Sequence, residues 1–270
     1  MSVHILNYEP DRIGGGWTAS RYLYEGLGAV EYNQADKVLL TSPSMAKHDE
    51  VARAKSDGKK IILRLDNHLL ASRNRNTGMS RMKAFCELAD TIIYQSEWAR
   101  DYLYPFTKRD GAVVLNGVDT ELFHNRGRIE NTNSLYVRSS RIAEKGWEMA
   151  RYWYAYNYPR MGLAALNIVG RFSRENMEYN FDFYNNEPYR FLGEQPRENM
   201  ASLMRQSQYF LYSYFMDACS NTLLEARASG CEIIDVYGML QTGGAPEIMA
   251  LKDLSVNRMV QEYAKIIETT

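Results

Sequence analysis

The clearest fold signal in the chain lies between residues 60 and 95. It consists of the run Lys60-Ile-Ile-Leu-Arg-Leu65, the stretch Ser80–Leu88 and the run Thr91-Ile-Ile-Tyr-Gln95. The outer runs are short and rich in aliphatic and β-branched residues, which is typical of buried strands, and the middle stretch has apolar residues at helical spacing. A strand, a helix and a second strand in this order predict a parallel strand pair joined by a right-handed crossover.

The same alternation continues in both directions. Further candidate strands are Val3–Tyr8, Lys37–Leu40, Ala112–Leu115, Ser134–Val137, Leu163–Val169, Arg190–Leu192, Tyr209–Tyr212 and Glu232–Asp235. Helical patterns lie between them at Trp17–Leu27, Met45–Lys55, Glu97–Tyr102, Trp147–Tyr154, Arg197–Gln206 and Asn221–Ala228. This number of strands is large for a single sheet. The sequence therefore predicts an α/β protein with two parallel sheets of about five strands.

A polar stretch separates the two series of strands. Residues Phe123–Thr132 contain Gly127 and have no apolar periodicity, which predicts a hinge. We therefore expect an N-terminal domain over residues 1–125 and a C-terminal domain over residues 131–255. The segment 256–270, which contains the amphipathic pattern Val260–Ile267, is expected to form a helix that packs back on the first domain.

Composition and charge exclude several classes of protein. The chain has 270 residues, a net charge of −1, 45% hydrophobic and 24% charged residues, which are ordinary values for a soluble globular protein. The three cysteines are scattered and odd in number, so they predict no disulfide framework. The N-terminus has no signal-peptide pattern, and no run approaches the ~20 apolar residues of a transmembrane helix. These features predict a cytoplasmic protein without a transmembrane segment.

A glycine-rich turn follows the first candidate strand. In Ile13-Gly14-Gly15-Gly16-Trp17-Thr18, the amides of Gly15 and Gly16 precede a predicted helix, so they are candidates for contact with a bound phosphate. A strand-to-helix turn without any ligand would have the same sequence. The Gly-x-Gly-x-x-Gly spacing of a dinucleotide site is absent.

Several motifs occur in a fixed order along the chain. They are Asp90–Glu97, Val113-Val-Leu-Asn-Gly-Val-Asp-Thr-Glu-Leu-Phe123, Ser139-Ser-Arg-Ile-Ala-Glu-Lys-Gly146, Asn167-Ile-Val-Gly170, Arg190-Phe-Leu-Gly193, Asp217–Gly230 with its Asp-x7-Glu225 spacing, and Gly243-Gly-Ala-Pro-Glu247. In this order they resemble segments of the retaining glycosyltransferases of the GT-B fold, family 4. The resemblance implies two facing Rossmann-like domains with parallel sheets, of which the second binds a nucleotide-sugar.

The resemblance also implies a role for the cations after the sixth candidate strand. Arg141 and Lys145 correspond to residues that contact the diphosphate of the donor. Cations at this place lower the barrier, because the leaving group gains negative charge as the glycosidic bond breaks. The amides of Asn221 and Thr222, at a predicted helix N-terminus, would add hydrogen-bond donors. Without the resemblance, a solvated surface is the favoured interpretation of Arg141 and Lys145.

Acidic residues and a glycine turn complete the implied donor site. By resemblance, Glu225 accepts hydrogen bonds from the ribose, Asp217 contacts the donor sugar, and the backbone at Gly193 and Glu194 meets the nucleobase. The family prefers glutamate where this chain has Asp217, so a loop-capping role for Asp217 is an alternative. Glu225 could instead form an ion pair on its own helix.

The implied chemistry is transfer of a hexosyl or pentosyl group, with retention of configuration, from a nucleotide-sugar, by resemblance a UDP-sugar. The family usually needs no metal, and no further cofactor is expected. The four histidines are far apart and no Cys/His cluster has ligand spacing, which agrees with metal independence. The leaving phosphate can itself take the proton of the acceptor.

The turn after the third candidate strand provides two more candidates. In Arg64-Leu-Asp-Asn-His68, His68 could hydrogen-bond the donor sugar and Asp66 could orient or deprotonate the acceptor hydroxyl. An ordinary loop histidine is the alternative for His68. The sequence departs from the family in two respects, since Gly230 is not followed by the usual proline and the chain is short.

The acceptor is left open between two classes. Residues 64–83 contain Arg64, Arg73, Arg75, Arg81 and Lys83 against one acid, Asp66, a local balance of +4. Arg73, Arg75, Arg81 and Lys83 are therefore candidate acceptor-binding residues. They could hold DNA phosphates in a compact phage or viral enzyme, acting in the host cytoplasm, that glycosylates a hydroxymethylated base. The other possibility is a solvated loop in an enzyme with a saccharide or lipid-linked acceptor.

Two other functions fit the same motifs. A nucleotide-sugar epimerase shares this architecture, and a non-catalytic module could bind nucleotide-sugars without transferring them. The oligomeric state is not indicated by the sequence.

Overall fold

The chain is divided into two units. The computed structural model describes residues 2–6, 8–10, 15–65, 78–129, 131–137, 145–171 and 188–270. The first unit comprises Met1–Gly117 and Ala250–Thr270, and the second comprises Val118–Met249. Each unit contains one parallel five-stranded sheet, which confirms the predicted α/β class. The assignment of acceptor and donor functions to residues 1–125 and 131–255 stays a prediction.

Helices connect most of the strands. Within the described part of the chain they are α1 (Gly15–Leu27), α2 (His48–Ser56), α3 (Gly78–Leu88), α4 (Glu97–Thr107), α5 (Trp147–Met161), α6 (Arg197–Arg205), α7 (Asn221–Ala228), α8 (Ala245–Ala250) and α9 (Val256–Thr269), with 3₁₀ segments at Tyr32–Gln34 and Val236–Gln241. None of these helices is long and apolar enough to cross a membrane.

The first sheet has its strands in sequence order. They are β1 (Val3–Ile5), β2 (Lys37–Leu40), β3 (Lys60–Leu65), β4 (Thr91–Tyr94) and β5 (Ala112–Val113), and neighbouring strands pair in parallel. The strands are shorter than or equal to the sequence-based expectations. A continuous apolar sequence suits them, because helices cover both faces of the sheet.

Side chains alternate between these two faces along each central strand. Leu39, Ile62 and Ile93 pack with residues of α1 and α9. Their sequence neighbours on β2, β3 and β4 pack instead with α2, α3 and α4. This alternation follows from the two-residue repeat of a strand. Helix α9 contributes Met259, Tyr263 and Ile267, all at most 1% exposed, to the core of the first unit.

In the second sheet, the order in which the chain adds strands reverses in the middle of the sheet. Its strands are β6 (Ser134–Val137), β7 (Leu166–Val169), β8 (Tyr189–Gly193), β9 (Tyr209–Tyr212) and β10 (Glu232–Asp235), and their spatial order is β10-β9-β6-β7-β8. The chain leaves β6 toward β7 and β8, and later returns to the other side of β6 with β9 and β10. In open α/β sheets, ligands bind outside the carboxyl ends of the strands at such a switch point. A ligand-binding site is therefore expected at the turns after β6 and β9.

Candidate functional site

A buried lysine and an aspartate meet at this switch point. Lys145 comes soon after β6 and Asp217 after β9, and their side chains form an ion pair in which they are 5% and 19% exposed. The ammonium nitrogen of Lys145 also lies 4.8 Å from the centroid of the Tyr214 ring, a cation–π contact. The structure thus brings together two residues predicted for the donor site, one from each side of the switch point.

The backbone of Lys145 is held in place from two sides. Its carbonyl oxygen accepts hydrogen bonds from Tyr136 Oη at 3.1 Å and from Ser213 Oγ at 2.9 Å. The next residue, Gly146, has φ of +66°, and a Cβ built on it would lie 2.2 Å from the carbonyl oxygen of Ser213. Glycine is the residue that satisfies both the left-handed conformation and the lack of space. The glycine of the Lys-Gly motif is therefore a structural requirement of this turn.

The Asp217 loop is held by the glycine turn that follows β10. The amide of Gly244 donates a hydrogen bond to the carbonyl oxygen of Asp217 at 2.9 Å. A Cβ on Gly243 would lie 2.4 Å from the same oxygen. The Gly-Gly-Ala-Pro-Glu motif and the Asp-x7-Glu motif, recognised separately in the sequence, are thus packed against each other.

Helix α7 begins beside the ion pair. Ser220 is its N-cap and accepts a hydrogen bond from the amide of Leu223 at 3.4 Å. Asn221 is the first residue of the helix. The hydroxyl of Thr222 donates to Tyr214 Oη at 3.2 Å, and Tyr214 Oη in turn donates to the carbonyl oxygen of Val137 at the end of β6. Thr222 is thereby linked to the Lys145 region through one tyrosine.

Tyr214 was not identified from the sequence. It is fully buried and contacts Lys145, Thr222 and β6. An aromatic residue after a strand is far more often part of a core than of a site, so its identity alone gives no signal. The only usable hint is its place at the carboxyl end of the strand beside the switch point.

Glu225 is paired with an arginine that sequence reasoning also missed. A guanidinium nitrogen of Arg197 lies 3.6 Å from Glu225 Oε1, and the side chains are 25% and 13% exposed. The Arg197 guanidinium also lies 5.2 Å from the centroid of the Phe123 ring. Burial raises the pKa of the Glu225 carboxyl to about 7, although the charge of Arg197 acts in the opposite direction. Near neutral pH this carboxyl is therefore present in both its protonated and its ionised form.

The turns after β7 and β8 lie side by side. The amide of Gly170 donates to the carbonyl oxygen of Gly193 at 2.9 Å. The side chain of Glu194 pairs with Arg171 at 2.9 Å, and both are about 60% exposed, so the pair adds little to stability. Contact of Gly193 and Glu194 with a nucleobase stays a prediction.

The remaining predicted residues fall outside the described ranges or in the first unit. Arg141, Asp66, His68, Arg73 and Arg75 lie outside the described residues. Gly15 and Gly16 begin α1 in the first unit, where the carbonyl oxygen of Gly16 accepts a hydrogen bond from Ser20 Oγ at 3.0 Å. No group of His, Cys, Asp and Glu side chains suited to hold a metal ion occurs in the described ranges. Metal independence stays a prediction.

Two of the basic residues counted near the acceptor loop are engaged in the fold of the first unit. Arg64 is 1% exposed and donates to the carbonyl oxygen of Thr41 at 2.8 Å and to Asn116 Oδ1 at 2.9 Å. It therefore contributes no exposed cation, and the local balance of +4 overstates the charge of the surface. The guanidinium of Arg81 donates to the carbonyl oxygens of Pro43, at 2.8 Å, and Ala46. Lys83 is exposed.

Comparisons with solved structures identify the fold. The chain is similar to HepE of Anabaena, solved in complex with UDP, with a TM-score of 0.70 and 13% identity over 99% of this chain and 90% of HepE. It is similar to sucrose-phosphate synthase of Thermosynechococcus elongatus, with a TM-score of 0.63 and 13% identity over 98% and 83% of the two chains. It also resembles WaaG, a glycosyltransferase of lipopolysaccharide biosynthesis, with a TM-score of 0.61 and 12% identity over 97% and 90%.

These structures are GT-B glycosyltransferases, and the chain has the GT-B fold. The fold class expected from the ordered motifs is confirmed. The sequence matches no protein-family profile and no curated protein.

The tight turn at Gly146 leads to a first prediction. Gly146→Ala should lower the free energy of unfolding clearly more than Gly162→Ala. Both glycines have left-handed backbones, with φ of +66° and +61°, but a Cβ meets nothing within 4 Å at Gly162. The control therefore reports the backbone strain alone, about 1–2 kcal/mol, whereas Gly146→Ala adds a steric clash of about 1–3 kcal/mol. Urea denaturation measures both, and equal losses would contradict the described packing.

The raised pKa of Glu225 leads to a second prediction. At pH values between 4.5, the ordinary pKa of a glutamate, and about 7, the pKa of Glu225 in the folded chain, the folded chain binds more protons than the unfolded chain. The free energy of unfolding should therefore fall as pH rises through this window, and Glu225→Gln should remove that contribution. Denaturation from about pH 5 to about pH 8 should show the variant gaining stability relative to the wild type. Glu198→Gln, at an exposed position of α6, is the control. If the free energy of unfolding depends on pH in the same way for the wild type and Glu225→Gln, the raised pKa of Glu225 is refuted.

Proposed function

We propose that the chain is a glycosyltransferase that uses a nucleotide-sugar and binds this donor at the carboxyl edge of the second sheet. The observation that carries the proposal is the buried Lys145, fixed by Tyr136, Ser213 and Gly146 and paired with Asp217 at the switch point. The GT-B fold supports the proposal, since its relatives here include glycosyltransferases and a UDP complex.

Lys145 is suited to receive a diphosphate. It is the single lysine within Val118–Met249, and its ammonium group is held in a largely desolvated place. A cation in such surroundings interacts more strongly with developing negative charge than a surface lysine does. We infer that Lys145 stabilises the leaving nucleoside diphosphate, together with Arg141 as the resemblance suggests.

Asp217 is proposed to exchange partners when the donor binds. A diphosphate carries more charge than one carboxylate, so it competes with Asp217 for the Lys145 ammonium. The Asp217 carboxylate, freed from this pair, can accept hydrogen bonds from hydroxyl groups of the transferred sugar. Its backbone stays in place during the exchange because Gly244 binds its carbonyl oxygen.

The contacts proposed for the rest of the donor follow the order of the strands in the second sheet. We propose that Glu225 binds the ribose hydroxyls, that amides at Asn221 and Thr222 bind phosphate, and that the turn at Gly193 and Glu194 meets the base. We further propose a UDP-sugar as donor and retention of configuration, both from the resemblance to family 4. In that mechanism the leaving phosphate takes the proton of the acceptor hydroxyl.

For the acceptor we propose a hydroxyl of a saccharide or a lipid-linked sugar rather than a DNA base. The DNA alternative rested on the basic segment 64–83. Arg64 is buried and Arg81 donates to two backbone carbonyls, so two of its five cations already have partners in the fold. A neutral acceptor requires no basic surface of this kind.

Replacement of Lys145 tests the donor site. Lys145→Met should lower the rate of sugar transfer from UDP-sugars by about 100-fold or more, since the charge at the leaving group is lost while side-chain length is kept. Lys265→Met, at an exposed position of α9, should retain the wild-type rate. Release of UDP and the mass of the acceptor measure the transfer, and a wild-type rate for Lys145→Met would reject the site.

The same assay separates the rival functions. An epimerase would change the sugar of the donor without any acceptor, and a binding module would retain UDP-glucose unchanged. Transfer to an acceptor is the outcome that the proposal requires.

The acceptor class is tested with DNA. Duplex DNA that contains hydroxymethylated pyrimidines should show no mass increase after incubation with the enzyme and UDP-glucose or UDP-N-acetylglucosamine, because the buried Arg64 and the hydrogen-bonded Arg81 reduce the cationic surface counted for this segment. A DNA-glucosylating enzyme on the same duplex is the positive control. A mass increase of one sugar with this chain would overturn the choice of acceptor.

A further inference from the structure

Two exposed aromatic residues lie on adjacent turns of the second sheet. Phe215 follows β9 and is 45% exposed, and Tyr237 follows β10 and is 58% exposed. Strands β9 and β10 pair in parallel, and Tyr212, the last residue of β9, is the register partner of Asp235, the last residue of β10. Since neighbouring strands are about 5 Å apart, the two turns start side by side at the edge that also holds Asp217.

Both turns have unusual backbones. Met216, directly after Phe215, has φ of 52°, and Tyr237 itself has φ of 54°. Residues with side chains rarely adopt this left-handed conformation, and a bulky aromatic residue does so only where the surroundings enforce it. Such strain is concentrated at binding and catalytic sites.

One threonine ties the two turns together. The amide of Met216 donates to Thr242 Oγ1 at 3.2 Å, and Thr242 Oγ1 donates to the carbonyl oxygen of Met239 at 2.9 Å. Within the second turn, Asp235 Oδ1 accepts a hydrogen bond from the amide of Leu240 at 2.8 Å. The backbone segments that carry Phe215 and Tyr237 are therefore linked to each other by hydrogen bonds.

The order of the strands shows which part of a donor would reach these residues. Along the edge β8-β7-β6-β9-β10, the proposed base contact at Gly193 follows β8, the diphosphate contact at Lys145 follows β6, and Asp217 follows β9. A nucleotide-sugar laid along this edge has its base at one end and its sugar at the other. Phe215, on the same turn as Asp217, and Tyr237, on the next turn along the edge, thus lie toward the sugar end.

We propose that Phe215 and Tyr237 bind the sugar ring of the donor and determine which sugar is accepted. This inference rests on the proposed function. A pyranose presents C–H groups on one face, and these pack against the electron-rich face of an aromatic ring while the ring hydroxyls hydrogen-bond to polar groups such as Asp217. The aromatic pair supplies the apolar contact, and Asp217 supplies the polar one.

The test compares UDP with UDP-glucose by isothermal titration calorimetry. Phe215→Ala and Tyr237→Ala should each raise the ratio of the UDP-glucose Kd to the UDP Kd by about fivefold, because only the sugar contact is lost. Tyr237→Phe, which keeps the ring, should retain the wild-type ratio. Tyr156→Ala, which removes an aromatic side chain that is 61% exposed on α5 of the same unit, is the control and should also retain it.

The outcomes distinguish this inference from the proposed function. An unchanged ratio in either alanine variant would overturn the role of that residue in sugar binding. Equal weakening of UDP and UDP-glucose is one such result, since it would indicate contact with the nucleotide or loss of structure. Failure of UDP to bind the wild-type protein would reject the donor site itself.

Discussion

The ion pair between Lys145 and Asp217 is the interaction on which the candidate site depends. Removing an ammonium group from water costs several kcal/mol. The attraction to one carboxylate offsets this desolvation penalty only when the geometry is favourable. Here the carboxylate of Asp217 and the face of the Tyr214 ring offset this penalty. A hydrophobic residue would stabilise the same place at least as well. A charge at this place agrees with the proposed binding of a diphosphate.

The backbone on both sides of the pair is held in place by neighbouring turns. Ser213 and Gly146 bring the turns after β9 and β6 into contact, and Gly243 and Gly244 bring the turn after β10 against Asp217. A site that is preorganised in this way loses little free energy when charge develops during the reaction. In the proposed arrangement, the aromatic residues on the same turns add apolar contacts for the sugar to the polar and cationic contacts of this strand edge.

In the first unit, a buried hydrogen-bond network joins the carboxyl ends of the strands. This edge of the sheet contains a fully buried arginine, Arg64, which joins the end of β3 to Thr41 after β2 and to Asn116 after β5. Gln95 also donates to Asn116 Oδ1, at 3.2 Å. Such a hydrogen-bonded network specifies one arrangement of the strand ends, because any other would leave a buried charge without partners. In a sequence window the same arginine looks like a surface cation.

The local sequence determined the strands, the helices and the division into two sheets, because apolar periodicity and strand-to-helix alternation are properties of neighbouring residues. It also indicated Lys145, Asp217 and Glu225 through an ordered set of motifs. Only the tertiary structure decided which side chains meet. Tyr214 and Arg197, the partners of Lys145 and Glu225, come from segments distant in sequence, and Arg64 turned out to be buried rather than exposed. Partner choice and burial depend on how strands are ordered in a sheet, and no short stretch of sequence contains that information.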